Sequence, residues 1–411
     1  MRWTVYEREL VVLFTDGSRF ILCVIDSRSP LAHNGRIIFD GWVPHMEERR
    51  LRLFWALCPG LEPSTYRKLF GHFGSAEALF AASEEGWAAA ARVRPETIRR
   101  MSAWRARAKD IVSRSEQQLA ETAGITCLVQ GDEAYPSRLF DLFDPPIVLF
   151  ARGNLRYLTV DPGIAVVGTR RASSYGLYAT KWIGSSLARA ELPVYSGMAL
   201  GIDQCAHEAV LGEHGIGIAI LGCGVEVCYP PSNRPLYRRL LEDGLLVSEY
   251  APTSLAAKHR FPERNRLIAA LSRATVVVQA GERSGSLGTA ESALELGRDV
   301  YVVPGPITSK SFRGSHQLLL DGAIPLVDPT TLIDQWADIK TPAARSTPTA
   351  PDIPDHLVDL AHLIREEGPL RPGEIALLSA VPPGHIHAKL LEMELASLVR
   401  RLPDGRYQCC F

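Results

Sequence analysis

Residues 161–335 alternate short apolar runs with segments long enough to form a helix, and this alternation constrains the fold more than any other feature. The pattern predicts six strands, each ending in a glycine-rich or polar turn: Ile164–Val167, Pro193–Ser196, Gly217–Leu221, Leu245–Ser248, Thr275–Gln279 and Val300–Val303. A seventh, shorter strand is predicted at Pro325–Val327. Strands that alternate with helices in this way are typical of βαβ units. We therefore predict an α/β fold built on a doubly wound parallel sheet.

The richest of these turns is R-S-G-S-L-G-T-A-E, which runs from Arg283 to Glu291 and opens a helical segment. Small residues let the backbone approach a ligand closely, and the N–H groups at a helix start favour an anion. Turns that follow parallel strands gather along the carboxyl edge of an open sheet, where ligands bind. The sequence therefore predicts a phosphate-binding edge, with Ser284, Gly285 and Ser286 as its best cradle.

The turn after the first predicted strand, G-T-R-R-A-S-S-Y-G, supplies a second group of candidates. Gly168 and Thr169 leave room at the strand end, and the forked guanidinium of Arg170 can reach a phosphate. The alternative for Arg170 is an ion pair with a local carboxylate. The turn has no G-x-G-x-x-G triplet, and the chain has no G-x-x-x-x-G-K-[ST] motif, which argues against a dinucleotide turn here and against a P-loop NTPase.

The fourth turn, K-H-R-F-P-E-R-N-R, surrounds one aromatic residue with cations. This mixture suits single-stranded nucleic acid, because cations such as Lys258 follow the backbone while Phe261 offers a face for a base. A core role is the alternative for Phe261. Arg264 is a further candidate, which we expect to orient the loop from beneath together with the two residues after it. Lys310, in the sixth turn, is predicted to lie near the same edge.

Composition limits where nucleic acid could bind. The formal net charge is −1, so no global field attracts the protein to nucleic acid, and a binding surface must be a local patch. Eight cysteines without a C-x-x-C pair fit reduced thiols in a cytoplasmic protein, and we expect neither a metal nor a cofactor. No apolar run approaches the roughly 18 residues of a membrane span.

Two other groups of residues have side chains that can take part in catalysis. Asp203 and His207 are four apart and would share a helix face, but a helix cap and a buried hydrogen bond explain them more simply than a catalytic pair. Cys223 has no base near it in the local sequence and is better explained as a small residue in a tight turn.

The flanking segments predict smaller modules. Residues 1–45 are expected to form a small hairpin from two strand-like runs or to be weakly ordered. Residues 46–125 read as helices, one of them capped by Ser75. This helical region could hold turn N–H groups against a nucleic-acid backbone or serve as an interaction or spacer bundle. Residues 126–160 are predicted to be a connector that docks a short strand and a helix onto the main body, which runs to residue 339.

The carboxyl-terminal part begins with a proline-rich linker at residues 340–354. Residues 355–411 then read as three helices and a small hairpin, which is the pattern of a winged helix. The third helix, predicted at Gly384–Leu398, would enter a major groove in a DNA-binding member. It carries Glu392 and Glu394 and few exposed cations, so contact with a protein, or packing, is favoured over duplex binding.

Several long strings, in order, resemble the DNA-processing protein family known as DprA or Smf: A-V-V-G-T-R, S-G-M-A-L-G-I-D-x-x-A-H, F-P-E-R-N-R-L-I-A-A-L-S, R-S-G-S-L-G-T-A and G-R-D-V-Y-V-V-P-G. The resemblance covers residues 46–411. It implies an extended Rossmann-like domain that binds single-stranded DNA and forms a homodimer, flanked by a helical SAM-like domain and a winged-helix domain. It also implies delivery of the RecA recombinase, displacement of single-strand-binding protein and a role in natural transformation.

By position in the family's motifs, the binding residues fall on Arg170, Lys258, Phe261 and the turn at residues 284–286. The chain departs from the family at Leu200, where arginine is common, and at His316, where asparagine is common. Leu200 removes one cation from the edge. The helix after Ser311 is a candidate for the dimer interface.

Two other functions stay open at the level of sequence. The string G-T-A-E also resembles a loop of the lysine-decarboxylase-like nucleotide phosphoribohydrolases, with Glu291 in the carboxylate position. Ser292 stands where that family has a second glutamate, and the P-G-G start is missing. The third option is a scaffold that binds only proteins. Phosphate contacts make the binding of oligo-dT weaker as salt rises, so binding that does not change with salt would favour the scaffold.

Overall fold

The protein is described by a computed structural model that covers residues 10–15, 20–25, 48–108, 111, 115–337, 354–379, 381–396, 398–402 and 405–409. Its centre is a nine-stranded sheet. The nine strands are β3 (Ile125–Val129), β4 (Val148–Gly153), β5 (Ile164–Gly168), β6 (Val194–Ser196), β7 (Gly217–Ile220), β8 (Leu245–Ser248), β9 (Ala274–Gln279), β10 (Asp299–Val302) and β11 (Ile324–Pro325). Strands β1 (Leu10–Thr15) and β2 (Phe20–Ile25) form a separate antiparallel hairpin, which is one of the two alternatives given for residues 1–45.

The strand order is β11-β10-β9-β5-β6-β7-β8-β4-β3, and the first seven strands in this order are parallel. The chain runs outward from β5 to β8 and then crosses back to place β9 on the other side of β5. The direction of winding therefore reverses between β5 and β9. In an open α/β sheet the crevice at such a reversal is the usual ligand site.

The predicted parallel sheet is confirmed, and the segment predicted as a connector extends it. Residues 125–153 supply β3 and β4, which pair antiparallel with each other, and β4 also pairs antiparallel with β8. Two short 3₁₀ helices, Ser137–Asp141 and Leu155–Thr159, take the place of the single predicted helix. An antiparallel edge of this kind is common on an otherwise parallel sheet.

Both faces of the sheet are covered, which explains why its strands are apolar along their whole length. Ile164 and Val166 of β5 enter one core cluster, and Ala165 and Val167 enter the other. The first cluster is closed by Ser174–Arg189, Ile202–Gly212, Arg234–Asp243 and Pro329–Ala337. The second is closed by Arg260–Leu271 and Ser286–Glu295. The helix Arg313–Leu320 precedes β11.

Within the residues that the structure describes, six helices precede the sheet: Glu48–Ala56, Pro63–Phe73, Ala76–Ala81, Glu84–Ala91, Pro95–Ala106 and Ser115–Ala123. The first five, which we call the helical region, pack around Trp55 and Trp87, whose ring centroids lie 5.6 Å apart. The predicted cap is confirmed, because the side chain of Ser75 accepts a hydrogen bond from the N–H of Ala78 at 3.0 Å. The core of the helical region is continuous with the first sheet cluster.

The carboxyl-terminal segment has a core of its own. It consists of three helices, Val358–Glu367, Pro372–Leu378 and Pro383–Leu395, and a hairpin in which Val399–Arg401 pairs with Tyr407–Cys409. The third helix thus ends three residues before the predicted Leu398. The proline-rich linker predicted at residues 340–354 lies almost wholly outside the described residues. None of the helices in the described ranges is long and apolar enough to cross a membrane.

Candidate nucleic-acid interface

Gln279, the last residue of β9, joins the turns at the winding reversal. Its side chain is fully buried. The Oε1 atom accepts hydrogen bonds from the backbone N–H and the hydroxyl of Ser173 at 2.9 and 3.0 Å, and the amide Nε2 donates to Ser311 Oγ at 2.8 Å. The buried side-chain amide of Gln279 therefore connects the turn after β5 to the turn after β10.

The turn after β5 depends on two glycines for its path. A Cβ atom on Gly168 would lie 2.6 Å from Ile202 Cγ1 and 3.0 Å from the carbonyl oxygen of Gln279. Gly201 has φ of +81°, and a Cβ there would lie 2.4 Å from the carbonyl oxygen of Thr169. Larger residues would push this turn away from its neighbours.

Arg170 projects from this turn and is exposed. Its guanidinium carbon lies 5.3 Å from the centroid of the Phe261 ring. Among the described residues, no carboxylate forms an ion pair with it, so the alternative of a local ion pair finds no support. Arg170 is therefore placed between the winding reversal and the predicted aromatic platform.

Phe261 lies in the first turn of the helix Arg260–Leu271, not in a loop. The ring is half-buried and rests over the end of β7, where a Cβ on Gly222 would lie 2.9 Å from its Cδ1. The ring of Tyr229, 39% exposed, lies 5.3 Å away at an interplanar angle of 32°. Tyr229 is not among the residues predicted from sequence. Its place in the Y-P-P turn after a predicted strand could have indicated an aromatic residue at this edge of the sheet.

Arg264 lies beneath this platform and is 4% exposed. It donates to the carbonyl oxygen of Gly197 at 2.9 Å and also to that of Ile220, which places it between the ends of β6 and β7. Burial lowers the pKa of Arg264, and the nearby Asp203 carboxylate opposes that shift. The structure thus gives Arg264 the supporting position that was expected, and its burial argues against direct contact with a strand.

The Ser284–Gly285–Ser286 turn begins the helix Ser286–Glu295. Its two hydroxyl oxygens lie 2.8 Å apart, and Asn265 donates to the carbonyl oxygen of Gly285 at 3.0 Å. Asn265 belongs to the helix that carries Phe261, so the cradle and the platform are joined directly. A Cβ on Gly285 would meet nothing within 4 Å, so the space above the cradle is open.

Three further cations surround these turns. Lys258, Arg283 and Lys310 are exposed, and within the part of the chain that the structure describes none of them has an ion-pair partner. By contrast, Arg313 pairs with Glu282 at 3.0 Å. Lys310 belongs to the turn after β10, which is attached to β9 because Ser315 Oγ accepts from the N–H of Ala280 at 2.8 Å. Arg170, Lys258, Arg283 and Lys310, with Phe261 and Tyr229, are called the binding edge below.

The candidate catalytic side chains, Asp203, His207 and Cys223, are buried. Burial lowers the pKa of His207 to about 4, which leaves the ring neutral at pH 7. The carboxylate of Asp203 accepts from the N–H of Gly197 at 3.2 Å; Gly197 precedes the helix, so this bond holds the turn after β6 and the expected helix cap is not formed. Burial raises the pKa of Cys223 to about 11, so its thiol is protonated and a poor nucleophile. Within the described residues, no three His, Cys, Asp or Glu side chains are placed to hold a metal ion.

Comparison with known proteins identifies the family. Residues 126–337 match the profile of DNA recombination-mediator protein A. DNA processing protein DprA of Streptococcus pneumoniae is 43% identical over 192 residues, which cover 47% of this chain and 67% of that protein. Protein Smf of Escherichia coli is 36% identical over 279 residues, which cover 66% of this chain and 74% of that protein.

A solved structure agrees with these sequence matches. The X-ray structure of DprA from Streptococcus pneumoniae superposes with a TM-score of 0.59 and 31% identity, covering 70% of this chain and 98% of that one. The resemblance read from the motifs is confirmed, and this chain belongs to the DprA/Smf family of DNA recombination-mediator proteins.

Proposed function

We propose that the protein binds single-stranded DNA along the binding edge, without cleaving it, and passes the strand to the RecA recombinase. The observation that carries this proposal is a group of exposed cations, without ion-pair partners among the described residues, on the turns that also hold the aromatic pair Phe261 and Tyr229. Phosphates would follow Arg170, Lys258, Arg283 and Lys310, while an unpaired base would stack on Phe261 or Tyr229. In a duplex the bases are already stacked on each other, so this combination favours single strands.

The cradle adds a binding element of a different kind. The N–H groups at the start of the helix Ser286–Glu295 carry partial positive charge and face the open space above Gly285. A phosphate there would be bound by backbone dipoles and two hydroxyl groups, none of which reads sequence. We therefore expect binding that tolerates any base.

Membership of a family of recombination mediators supports the RecA part of the proposal. From the same family we infer a homodimer, displacement of single-strand-binding protein and a cytoplasmic role in natural transformation. We assign residues 46–125 to a SAM-like domain, 126–339 to an extended Rossmann-like domain and 355–411 to a winged-helix domain. The three helices and hairpin of the last segment support that assignment.

Hydrolysis of nucleotides is the weaker candidate. The carboxylate that this reaction needs would come from Glu291. The second glutamate of the hydrolase family is replaced by Ser292, whose hydroxyl donates to the carbonyl oxygen of Gly288 at 2.9 Å. A single exposed carboxylate on a helix lacks the positioned partner that this chemistry requires.

The test is fluorescence anisotropy of labelled oligo-dT between 50 and 200 mM salt, with an unlabelled duplex of equal length as competitor. Four or five phosphate contacts predict that log K falls with log salt with a slope of about −3. The duplex should compete poorly. Salt-independent binding would instead favour a scaffold for proteins, and release of free base from nucleoside monophosphates in proportion to protein would favour a hydrolase.

A further inference from the structure

We propose that the helical region positions the nucleic-acid-binding helix Arg260–Leu271, and that Glu62 and Arg67 are the residues that do so. The inference rests on the proposed function, because it concerns the same binding edge. It assigns to the helical region an energetic part in binding that requires no contact between that region and DNA.

The first connection is a two-pronged ion pair. Arg260 donates from Nε to Glu62 Oε2 at 3.0 Å and from an Nη atom to Glu62 Oε1 at 2.6 Å. The side chains are 13% and 25% exposed, so water competes only partly for this pair. Glu62 precedes the helix Pro63–Phe73, and its side chain makes no capping hydrogen bond there. Arg260 is therefore the main partner of this carboxylate, and His259 Nε2 lies 3.8 Å from Glu62 Oε2 as a second, longer contact.

Arg260 is held from two other directions. It donates to the carbonyl oxygen of Leu255 at 2.7 Å, and its guanidinium carbon lies 4.6 Å from the centroid of the Tyr250 ring. Arg260 stands directly before Phe261 and two residues after Lys258. The backbone between two elements of the binding edge is thus anchored by a side chain whose main partner belongs to the helical region.

The second connection lies farther along the same two helices. Arg67 pairs with Glu249 at 2.8 Å and with Asp144 at 2.9 Å, and Arg266 pairs with the same two carboxylates at 2.7 and 3.3 Å. The side chain of Glu249 is 1% exposed. Two arginines, one from each helix, therefore share two carboxylates: Glu249, which is buried and directly follows β8, and Asp144, which is 43% exposed and precedes β4.

Both connections join the helix Pro63–Phe73 to the helix that carries Phe261 and Asn265. A helix held at two points cannot tilt or slide without breaking ion pairs. Breaking the pairs to Glu249 is the costly part, because this carboxylate is buried and would lose its compensating charges. If Glu62 is removed, the segment around Lys258 and Phe261 can adopt other conformations. The apparent dissociation constant then rises in inverse proportion to the fraction that is still competent to bind.

The pair also sequesters a cation, and this allows a sharp test. Arg260 is next to Phe261 of the binding edge, but its guanidinium is paired with the Glu62 carboxylate. A positioning role predicts that loss of Glu62 weakens binding with an unchanged salt slope, because no phosphate contact is lost. A masking role predicts the opposite, namely tighter binding with a slope steeper by about 0.7.

The experiment measures oligo-dT affinity of the full chain and of Glu62→Ala, Glu62→Gln and Glu96→Ala across the same salt range. We expect Glu62→Ala to weaken binding about tenfold and Glu62→Gln by less, since the amide keeps one acceptor. Glu96→Ala is the matched control, because it removes an exposed ion pair to Arg100 within the helical region. It should bind as the unaltered protein does. Circular dichroism and thermal melting check that each variant folds.

Hydrogen exchange of the unaltered protein gives an independent readout that a purely structural role would not produce. Coupling is reciprocal, so saturating oligo-dT should slow exchange in residues 62–73, although the proposal places the strand on the binding edge and not on these residues. No change in these residues, together with unaltered affinity of Glu62→Ala, would overturn the inference and leave the proposed function standing. Tighter binding of Glu62→Ala would also overturn it. Failure of the unaltered protein to bind oligo-dT would remove the proposed function itself, and this inference with it.

Discussion

Replacing Arg170 by alanine should weaken binding of single-stranded DNA and make it less sensitive to salt. Arg170 is exposed, has no carboxylate partner among the described residues and lies over Phe261, so its charge is available to a phosphate. A charge-assisted hydrogen bond at an exposed site contributes about 1.5 kcal/mol, which corresponds to roughly a tenfold loss of affinity at low salt.

The salt dependence gives the second magnitude. Each phosphate contact on a single strand contributes about 0.7 to the slope of log K against log salt. A fourfold rise in salt, from 50 to 200 mM, therefore costs the unaltered protein about 2.6-fold more affinity than the variant. A tenfold deficit at 50 mM should shrink to about fourfold at 200 mM.

The assay is anisotropy with oligo-dT at four salt concentrations. Arg170→Lys should keep the slope but not the full affinity, because it keeps the charge and loses the fork. Arg189→Ala is the matched control, since Arg189 is an exposed arginine at the far end of the helix Ser174–Arg189, about 22 Å from its start. A deficit that stays constant with salt would refute the reasoning and would show that Arg170 acts only by packing on Phe261.

Lys258→Ala should also flatten the salt slope by about 0.7, as the same titrations would show, and an unchanged slope would exclude a phosphate contact. Phe261→Ala should cost about 1–3 kcal/mol of binding free energy with the slope intact, and a changed slope would mean that the ring instead positions the cations. The pKa of buried His207 is lowered to about 4 from a usual 6.5, so the unfolded chain binds the proton more readily. Stability is therefore complete above pH 6.5 and falls by up to about 3 kcal/mol as the pH drops toward 4. Urea unfolding of His207→Gln should show a smaller loss between pH 7 and pH 4.5, and an equal loss would exclude His207 as its source.

The strands were predictable from sequence because their signals are local. In β5 a run of apolar residues stops at Gly168, and the observed strand differs from the predicted one by a single residue. The same holds for β7 and β9, whereas β10 keeps its predicted length and is shifted by one residue toward the amino terminus.

What could not be predicted depends on contacts between distant parts of the chain. Arg264 looks like its neighbours in the string E-R-N-R, and only the positions of β6 and β7 determine that it is the buried one. Tyr229 and Phe261 meet because the turn after β7 lies beside the start of another helix. Glu62 and Arg260 are 198 positions apart, and nothing in either local sequence indicates that they pair.

The central claim is that unpaired DNA lies along the binding edge, and photocrosslinking tests it most directly. Oligonucleotides carrying 5-iodouracil would be irradiated in complex with the full chain, and the crosslinked residues identified by mass spectrometry. We predict crosslinks at Phe261 or Tyr229, because these rings are the ones a base would stack on. Crosslinks confined to the helical region or to residues 354–409, with none at the carboxyl edge of the sheet, would contradict the account.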